Sequence, residues 1–471
     1  MRNFILSLSL FFCVVAANAQ LVSIASKAAV FKPSRFMPAN DGFIGIKKEA
    51  KPRGGTFDLF NRYKATLVKY DQDMKVVKEQ PLFNGSLNTM VYLELQKSSG
   101  NYWVVYCEPL QKNKFKSFYA MQVDAQTLAT SEPKLIAAED KIDERIDFGV
   151  VDEEKNVNFK SSPSQRYHAL LIDNLSGDFF LECLDDQMQP VWNSKQKTPD
   201  FKQEYLNSMA VDDEGNIYIS YVKDDKAIIS VFNAKGIATQ TPLNFGDIKP
   251  AQVILMPTRS GTLMAGGLYK ENSDYGRGIY TAVLNKKSFA AGKIQKTDIS
   301  EAIMKRLDKD GLAKSKPSKF GVFTYMGDTK FYGDEQNLWV VVEFRQSLGS
   351  GRALAEASLL AADLSTPNPT FAHIPRYAVT SNIISDKRYF AINCTDKLML
   401  LYKDHQDNLS RDLSEDQKVL NGEKGAVLIM ASISKDGTVK RKEFVGQGNL
   451  SISEGVNKIA KDFCEGTLPK L

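Results

Sequence analysis

Histidine and tryptophan are scarce in this 471-residue chain, three of each, and its five cysteines form no C-x-x-C pair. Without that pair nothing signals a zinc knuckle or a thioredoxin-like redox site. Neither G-x-S-x-G nor H-E-x-x-H occurs, so no nucleophile elbow and no zincin helix is signalled. Asp308-Lys309-Asp310-Gly311 lacks the alternating ligands and closing Glu of an EF-hand, and Gly446-Gln447-Gly448 has no third glycine. Lysine and arginine form no long run, and 61 basic residues stand against 56 acidic ones, a net charge of +5. A nucleic-acid binder concentrates its basic excess in a stripe, so none is expected here. Beyond the amino terminus no stretch reaches the ~18 apolar residues of a membrane helix. No metal, cofactor or catalytic residue is therefore expected from motifs.

Residues 1–19 read as a secretory signal peptide. Arg2 supplies the positive start, Phe4 to Val15 an apolar core too short to span a bilayer, and Ala17-Asn18-Ala19 a small-x-small cleavage pattern. Cys13 follows Phe11-Phe12 inside that core, whereas lipidation needs a small residue just before the cysteine. Export permits disulfides. Cys107, Cys183, Cys394 and Cys464 then allow three connectivities. Cys107 and Cys183 sit in apolar runs that suit buried thiols, so Cys464 is the expected bridge partner, tying down a terminus.

What the chain does have is a recurring phrase. Asp213-Glu214-Gly215-Asn216 is a polar turn running into the apolar Ile217-Tyr218-Ile219-Ser220-Tyr221. The same pattern begins at Ser98, Arg259 and Asp334. Searching for repeats gives a unit of four strands, A to D. Strand B is nearly continuously apolar, with copies from Gly42, Asn101, Arg166, Asn216, Thr262, Leu338 and Leu398. Runs of this kind, rich in Val, Ile, Tyr and Trp, read as strands covered on both faces. Strand C and an Asp/Asn-rich turn repeat from Ala65, Phe118, Phe179, Ile228, Ile279, Ala357 and Val427. Asp and Asn favour such turns because their side chains bond nearby backbone.

An isolated hairpin is marginal in water, so these units must cover one another. The expected fold is all-β: a β-propeller of four-stranded antiparallel blades, seven by this count, with six and eight as the alternatives. The first unit is the least regular, its strand A falling in Ala28–Phe36. Residues 20–445 form the propeller and 446–471 a tail that packs on or closes the ring, with Leu21–Ser26 adding a strand to the last blade. One helix interrupts the pattern near 298–310. Asp298 and Glu301 have capping-box spacing, Ile299, Ile303 and Leu307 share a face, and Gly311 suits the carboxyl end.

Strand alternation puts A–B and C–D turns at one end of every blade, and B–C loops and D–A connections at the other. The first set is uniformly short. Length varies in the second: Lys51–Tyr63, Arg345–Glu356, Lys403–Gly425, the helix and Ser131–Gln165. Function concentrates on variable loops held by a rigid scaffold. The partner-binding residues expected there are Arg53, Arg62, Arg345 and Arg352 from basic loops. Asp404, His405 and Asp407 join them from the acidic unit-seven loop, which also carries Asp412, Glu415, Asp416 and Glu423. His168, in an apolar strand, reads as a satisfied core residue. His373 has no evident partner. His405, in Asp404-His405-Gln406-Asp407-Asn408, has neighbours suited to metal or acid–base work at a spacing that is poor evidence for either.

The helix, the following DEQNLWVVVEF and then LMLLYKDHQDNL resemble uncharacterised exported proteins of the Bacteroidota, across residues 298–445. The resemblance implies export and a propeller-like fold, and brings no activity or ligand. The expected function is a non-enzymatic binding or scaffold protein of the cell envelope, periplasmic or outer-envelope associated, that takes a protein or glycan partner on the variable-loop face. The alternative is a glycan- or peptidoglycan-active enzyme using the same face, a fold-level analogy only.

Overall fold

In the computed structural model the chain is a β-propeller of seven antiparallel blades, each built in the order A-B-C-D with every strand bonded to the next. The structure describes residues 36–39, 41–50, 62–71, 76–83, 88–89, 92–109, 115–137, 157–173, 178–197, 206–223, 225–235, 239–270, 276–309, 324–325, 329–333, 336–347, 354–380, 389–394, 396–421 and 425–445. The expected signal peptide over residues 1–19, Leu21–Ser26, the tail 446–471, Glu423 and Cys464 lie outside them.

The seven B strands are Gly42–Ala50, Asn101–Pro109, Tyr167–Asp173, Ile217–Lys223, Leu263–Lys270, Leu338–Ser347 and Lys397–His405. Each falls where the apolar phrase does. Blade three shows why strand B is apolar on both faces. Leu170 and Ile172 pack with Trp103, Val105 and Phe118 of blade two. The alternating Ala169 and Leu171 pack with Met209, Val211, Ile217 and Ile219 of blade four. Tyr218, the residue between those two isoleucines, turns the other way to meet Leu263, Ala265 and Tyr280 of blade five. Period-two alternation thus serves two cores at once, and each fully buried Leu or Ile in them contributes about 1.5–3 kcal/mol.

Two compact units divide the chain: Ile44–Lys69 with Lys78–Ile299, and Ser300–Leu471 with Met1–Phe43 and Tyr70–Val77. Blades two to five belong to the first and blades six and seven to the second. Within the second, Trp339, Val341 and Leu359 of blade six share one core with Leu398, Leu400 and Tyr402 of blade seven. Strand D of blade six, Ala372–Thr380, also takes a short parallel strand, Leu420–Asn421, from the B–C loop of blade seven.

Two expectations shift, and the cysteines at 107 and 183 are as expected. The described strand A of blade one is Phe36–Ala39, reaching past the expected Ala28–Phe36, of which all but Phe36 lies outside the described residues; a tight A–B turn requires strand A to end just before Gly42. The helix runs Glu301–Lys309, and Asp298 closes the preceding strand, Ala291–Asp298. Its cap is Ser300, whose Oγ accepts from the Ile303 amide at 3.4 Å. Cys107 and Cys183 are buried thiols, and Cys394 is disulfide-bonded. Among the described residues no helix is long and apolar enough to cross a membrane.

Candidate functional site

The expected partner-binding residues distribute unevenly. Arg53 and Arg352 lie outside the described residues. Arg62 opens strand C of blade one, Arg62–Tyr70, opposite Thr89. Arg345 lies within a strand rather than in a loop, because the ladder continues past the apolar run and pairs it with Glu356. Asp404 and His405 are likewise the last two residues of strand B in blade seven, paired with Val427 and Ala426. The structure gathers Asp404, His405 and Asp407 at the loop end of blade seven.

The loop that follows, residues 406–421, spends most of its polar groups on itself. It opens with a turn of 3-10 helix, Gln406–Asn408, where His405 Nδ1 accepts from the Asp407 amide at 3.1 Å. That bond fixes the neutral ring with its proton on Nε2. Burial, and then the nearby Lys418, hold the His405 pKa below its usual value. Asn408 is fully buried and ties the loop's two limbs together: its Oδ1 accepts from the Lys418 amide at 2.7 Å and its Nδ2 donates to Lys418 O at 2.9 Å. Lys418 Nζ donates to Asp407 Oδ2 at 2.7 Å, the main reason that carboxyl lies below its usual range. Asp412 caps Ser414, and Gln417 Nε2 donates to Asp412 O and Glu415 O. From outside the loop, Arg306 of the helix donates to Ser414 O at 3.0 Å and Glu415 O at 3.1 Å, and pairs with Asp416 at 3.2 Å. The helix therefore clamps the loop. Ser410, Arg411, Glu415, Lys418 and Val419 remain on the exposed side.

Beneath the loop is a buried polar cluster. Asp404 is 1% exposed, and its Oδ1 accepts from the His405 amide at 2.7 Å and from Asn408 Nδ2 at 2.8 Å. Tyr402 sits two residues earlier on the same strand face, fully buried, with the Arg376 guanidinium over its ring at 5.8 Å. Arg441 of strand D donates to Arg411 O in the loop. Burial pushes the Asp404 carboxyl up to about 6, outweighing its two hydrogen bonds and the charges of Arg376 and Arg441. Sequence reading missed Arg306, Arg376, Asn408 and Arg441. Their partners lie up to 109 residues away, and no local pattern marks them.

The opposite end of the blades is bolted together. The turn at Asp213-Glu214-Gly215-Asn216 is held by Asp212, whose Oδ1 accepts from the amides of Glu214 and Asn216, both at 3.0 Å, with Gly215 at φ +78°. Tyr218 donates to Asp212 Oδ2 at 2.7 Å, and Lys286 of blade five pairs with it at 3.2 Å. Burial pushes the Asp212 carboxyl up, yet its hydrogen bonds together hold it below the usual range. Ser164 of blade three donates to Asp213 at 2.6 Å. In blade two, Ser98 Oγ donates to Asp186 O of blade three at 2.8 Å and accepts from His168 Nε2 at 2.8 Å, while Ser161 Oγ donates to Nδ1 at 2.9 Å. His168 is a satisfied core residue, its pKa driven by burial down to about 4. His373 has a partner that sequence did not reveal, Ser358 Oγ at 2.9 Å. Among the described residues no group of three or more His, Cys, Asp or Glu side chains is placed to hold a metal ion.

No protein-family model and no curated protein matches the chain. Solved structures match at low identity. A protein from Lactobacillus plantarum is 9% identical, with a TM-score of 0.43, over 88% of this chain and 97% of that one. A prolyl endopeptidase is 10% identical, with a TM-score of 0.43, over 92% of this chain but only 55% of its own. A protein of unknown function from Bacteroides caccae is 8% identical, with a TM-score of 0.30, over 66% and 94%. At such identities none of them carries a functional reading.

Proposed function

We propose that this chain is an exported binding protein of the cell envelope that engages a protein or glycan partner through the loop end of blades six and seven. One observation carries this reading: a charged surface loop is held in a single shape by buried and clamping polar contacts. Asn408 is fully buried to join its limbs, and Arg306 reaches from a separate helix to hold its tip. Ordering a loop before a partner arrives lowers the entropy cost of binding, and rigid scaffolds present recognition loops in this way. Asp412 caps a turn, and Asp407 and Asp416 pair with Lys418 and Arg306, which favours recognition over acid–base chemistry. Export and periplasmic residence are supported by the leader-like amino terminus and by the disulfide at Cys394, a bond that suits oxidising compartments. The family reading, an exported Bacteroidota propeller, rests on the resemblance across residues 298–445.

Site-specific photo-crosslinking in intact cells tests the reading. A photoreactive residue replaces Glu415 or Lys418 on the loop, or Lys235 or Lys287 on exposed turns of the opposite end. Covalent adducts from the two loop positions and none from the turns are expected. Adducts from the turn positions alone would overturn the assignment, and loss of the adduct on protease or glycosidase treatment separates a protein from a glycan.

A further inference from the structure

Asp404 is the hinge-point of the loop, and it is held in a setting that suits a neutral acid better than a carboxylate. Oδ1 accepts two hydrogen bonds, from the backbone of its own strand end and from Asn408, the residue that joins the loop's limbs. Oδ2 is buried and accepts no hydrogen bond from the protein. A buried carboxylate oxygen without a donor carries a desolvation penalty, whereas a carboxylic acid carries far less. Tyr402 Oη, also buried, lies on the same strand face two residues away.

The charged groups facing Asp404 come from every element packed on it. Arg376 stands on strand D of blade six, Arg441 on strand D of blade seven, and His405, Asp407 and Lys418 lie in or beside the loop. The two arginines favour the carboxylate. Neither cancels the cost, because the Arg376 guanidinium lies over the Tyr402 ring and Arg441 donates to Arg411 O in the loop. Opening the loop would bring Asp404 to solvent, where the carboxylate is hydrated.

We propose that Asp404 is a proton-linked latch: with its carboxyl neutral the loop 406–421 is locked onto blade seven, and with its carboxyl charged the closed loop still predominates but opens toward solvent more often. The sign follows from linkage. Burial raises this carboxyl to about 6 in the closed loop, against 3.8 for a free side chain, so the closed state binds the proton more tightly. Closure is therefore strongest below pH 3.8, weakens as pH rises from there to about 6 and levels off above it, and a gap of about two units corresponds to an opening equilibrium that shifts on the order of 100-fold in total. His405 works in the opposite sense. Protonating its Nδ1 breaks the bond from the Asp407 amide, so acid loosens that contact.

Hydrogen–deuterium exchange of the loop, corrected for intrinsic rates, tests the latch in the intact chain with no partner present, independently of the binding reading. In wild type, protection across residues 406–418 should fall on the order of 10-fold between pH 5 and pH 8. Asp404→Asn keeps an acceptor for the His405 amide and Asn408 but cannot ionise; its protection should stay high and flat. His405→Gln should keep the direction of the wild-type dependence, steepened where the opposing histidine contribution is lost. Equal profiles for wild type and Asp404→Asn, or greater wild-type protection at pH 8 than at pH 5, would overturn the proposal. Should Asp404→Asn fail to fold, the carbon-13 shift of the Asp404 carboxyl in wild type decides: its midpoint must fall at the pH where protection stops decreasing. A carboxyl that stays charged down to pH 4 would refute the latch.

Discussion

Gly425 shows how much a single position can carry. Its φ is +73°, and a Cβ there would stand 2.9 Å from His405 Nε2. Both the left-handed backbone and the neighbouring ring oppose a side chain. Gly425→Ala should cost about 1–3 kcal/mol of unfolding free energy, measured by denaturant titration, and should expose His405 to modification. His168 is the second residue-scale test. Its pKa falls to about 4 in the fold from 6.5, so the unfolded chain binds the proton more tightly. The stability that His168 contributes is present above pH 6.5 and is lost as pH falls toward 4, a total on the order of 3 kcal/mol. Unfolding free energies measured at pH 7 and pH 4 should therefore converge for His168→Gln relative to wild type. A histidine inside an apolar run was legible as core. Its two serine partners were not, since Ser98 lies 70 residues away.

At the scale of elements, the helix Glu301–Lys309 and the loop 406–421 form one working pair. Arg306→Ala removes two hydrogen bonds and an ion pair to residues 414–416. Because these contacts hold the loop rather than the core, exchange protection should drop in the loop alone, with the melting temperature nearly unchanged. Ser300→Ala removes the helix cap and should cost about 1 kcal/mol. The helix was legible from its spacing, but its first turn was misread. Asp298-x-x-Glu301 has the capping-box pattern, yet Asp298 is claimed by the ladder opposite Gly278 and by the hydroxyl of Tyr269. Strand ends misled for a related reason. Apolar runs mark where a strand is covered, whereas ladder hydrogen bonds extend past them, so Arg345 and Asp404 sit in strands that hydropathy ends earlier.

For the whole molecule, the seven-fold repeat was legible because every B strand must serve two cores, and that requirement writes the same apolar phrase seven times. The difference in build between the two blade ends was legible only in outline. Short turns on one side predicted a structural role, and the bonds from Ser98, Asp212, Asp213 and Asn337 to neighbouring blades supply its physical content. The site itself was not legible, because the contacts that shape the loop come from Arg306, Asn408 and Arg441, residues no motif distinguishes. Thiol chemistry offers a check on the molecule as a whole. Cys107 and Cys183 should react with an alkylating reagent only after denaturation, and Cys394 only after reduction as well. The division between the two ends is tested most directly by affinity capture from envelope extract, comparing Arg345→Glu with Arg352→Glu against Lys235→Glu with Lys287→Glu, all at matched stability. The expected result is loss of the captured partner in the first pair and its full retention in the second. An unaltered partner in the first pair, or its loss in the second, would contradict the assignment of function to the loop end.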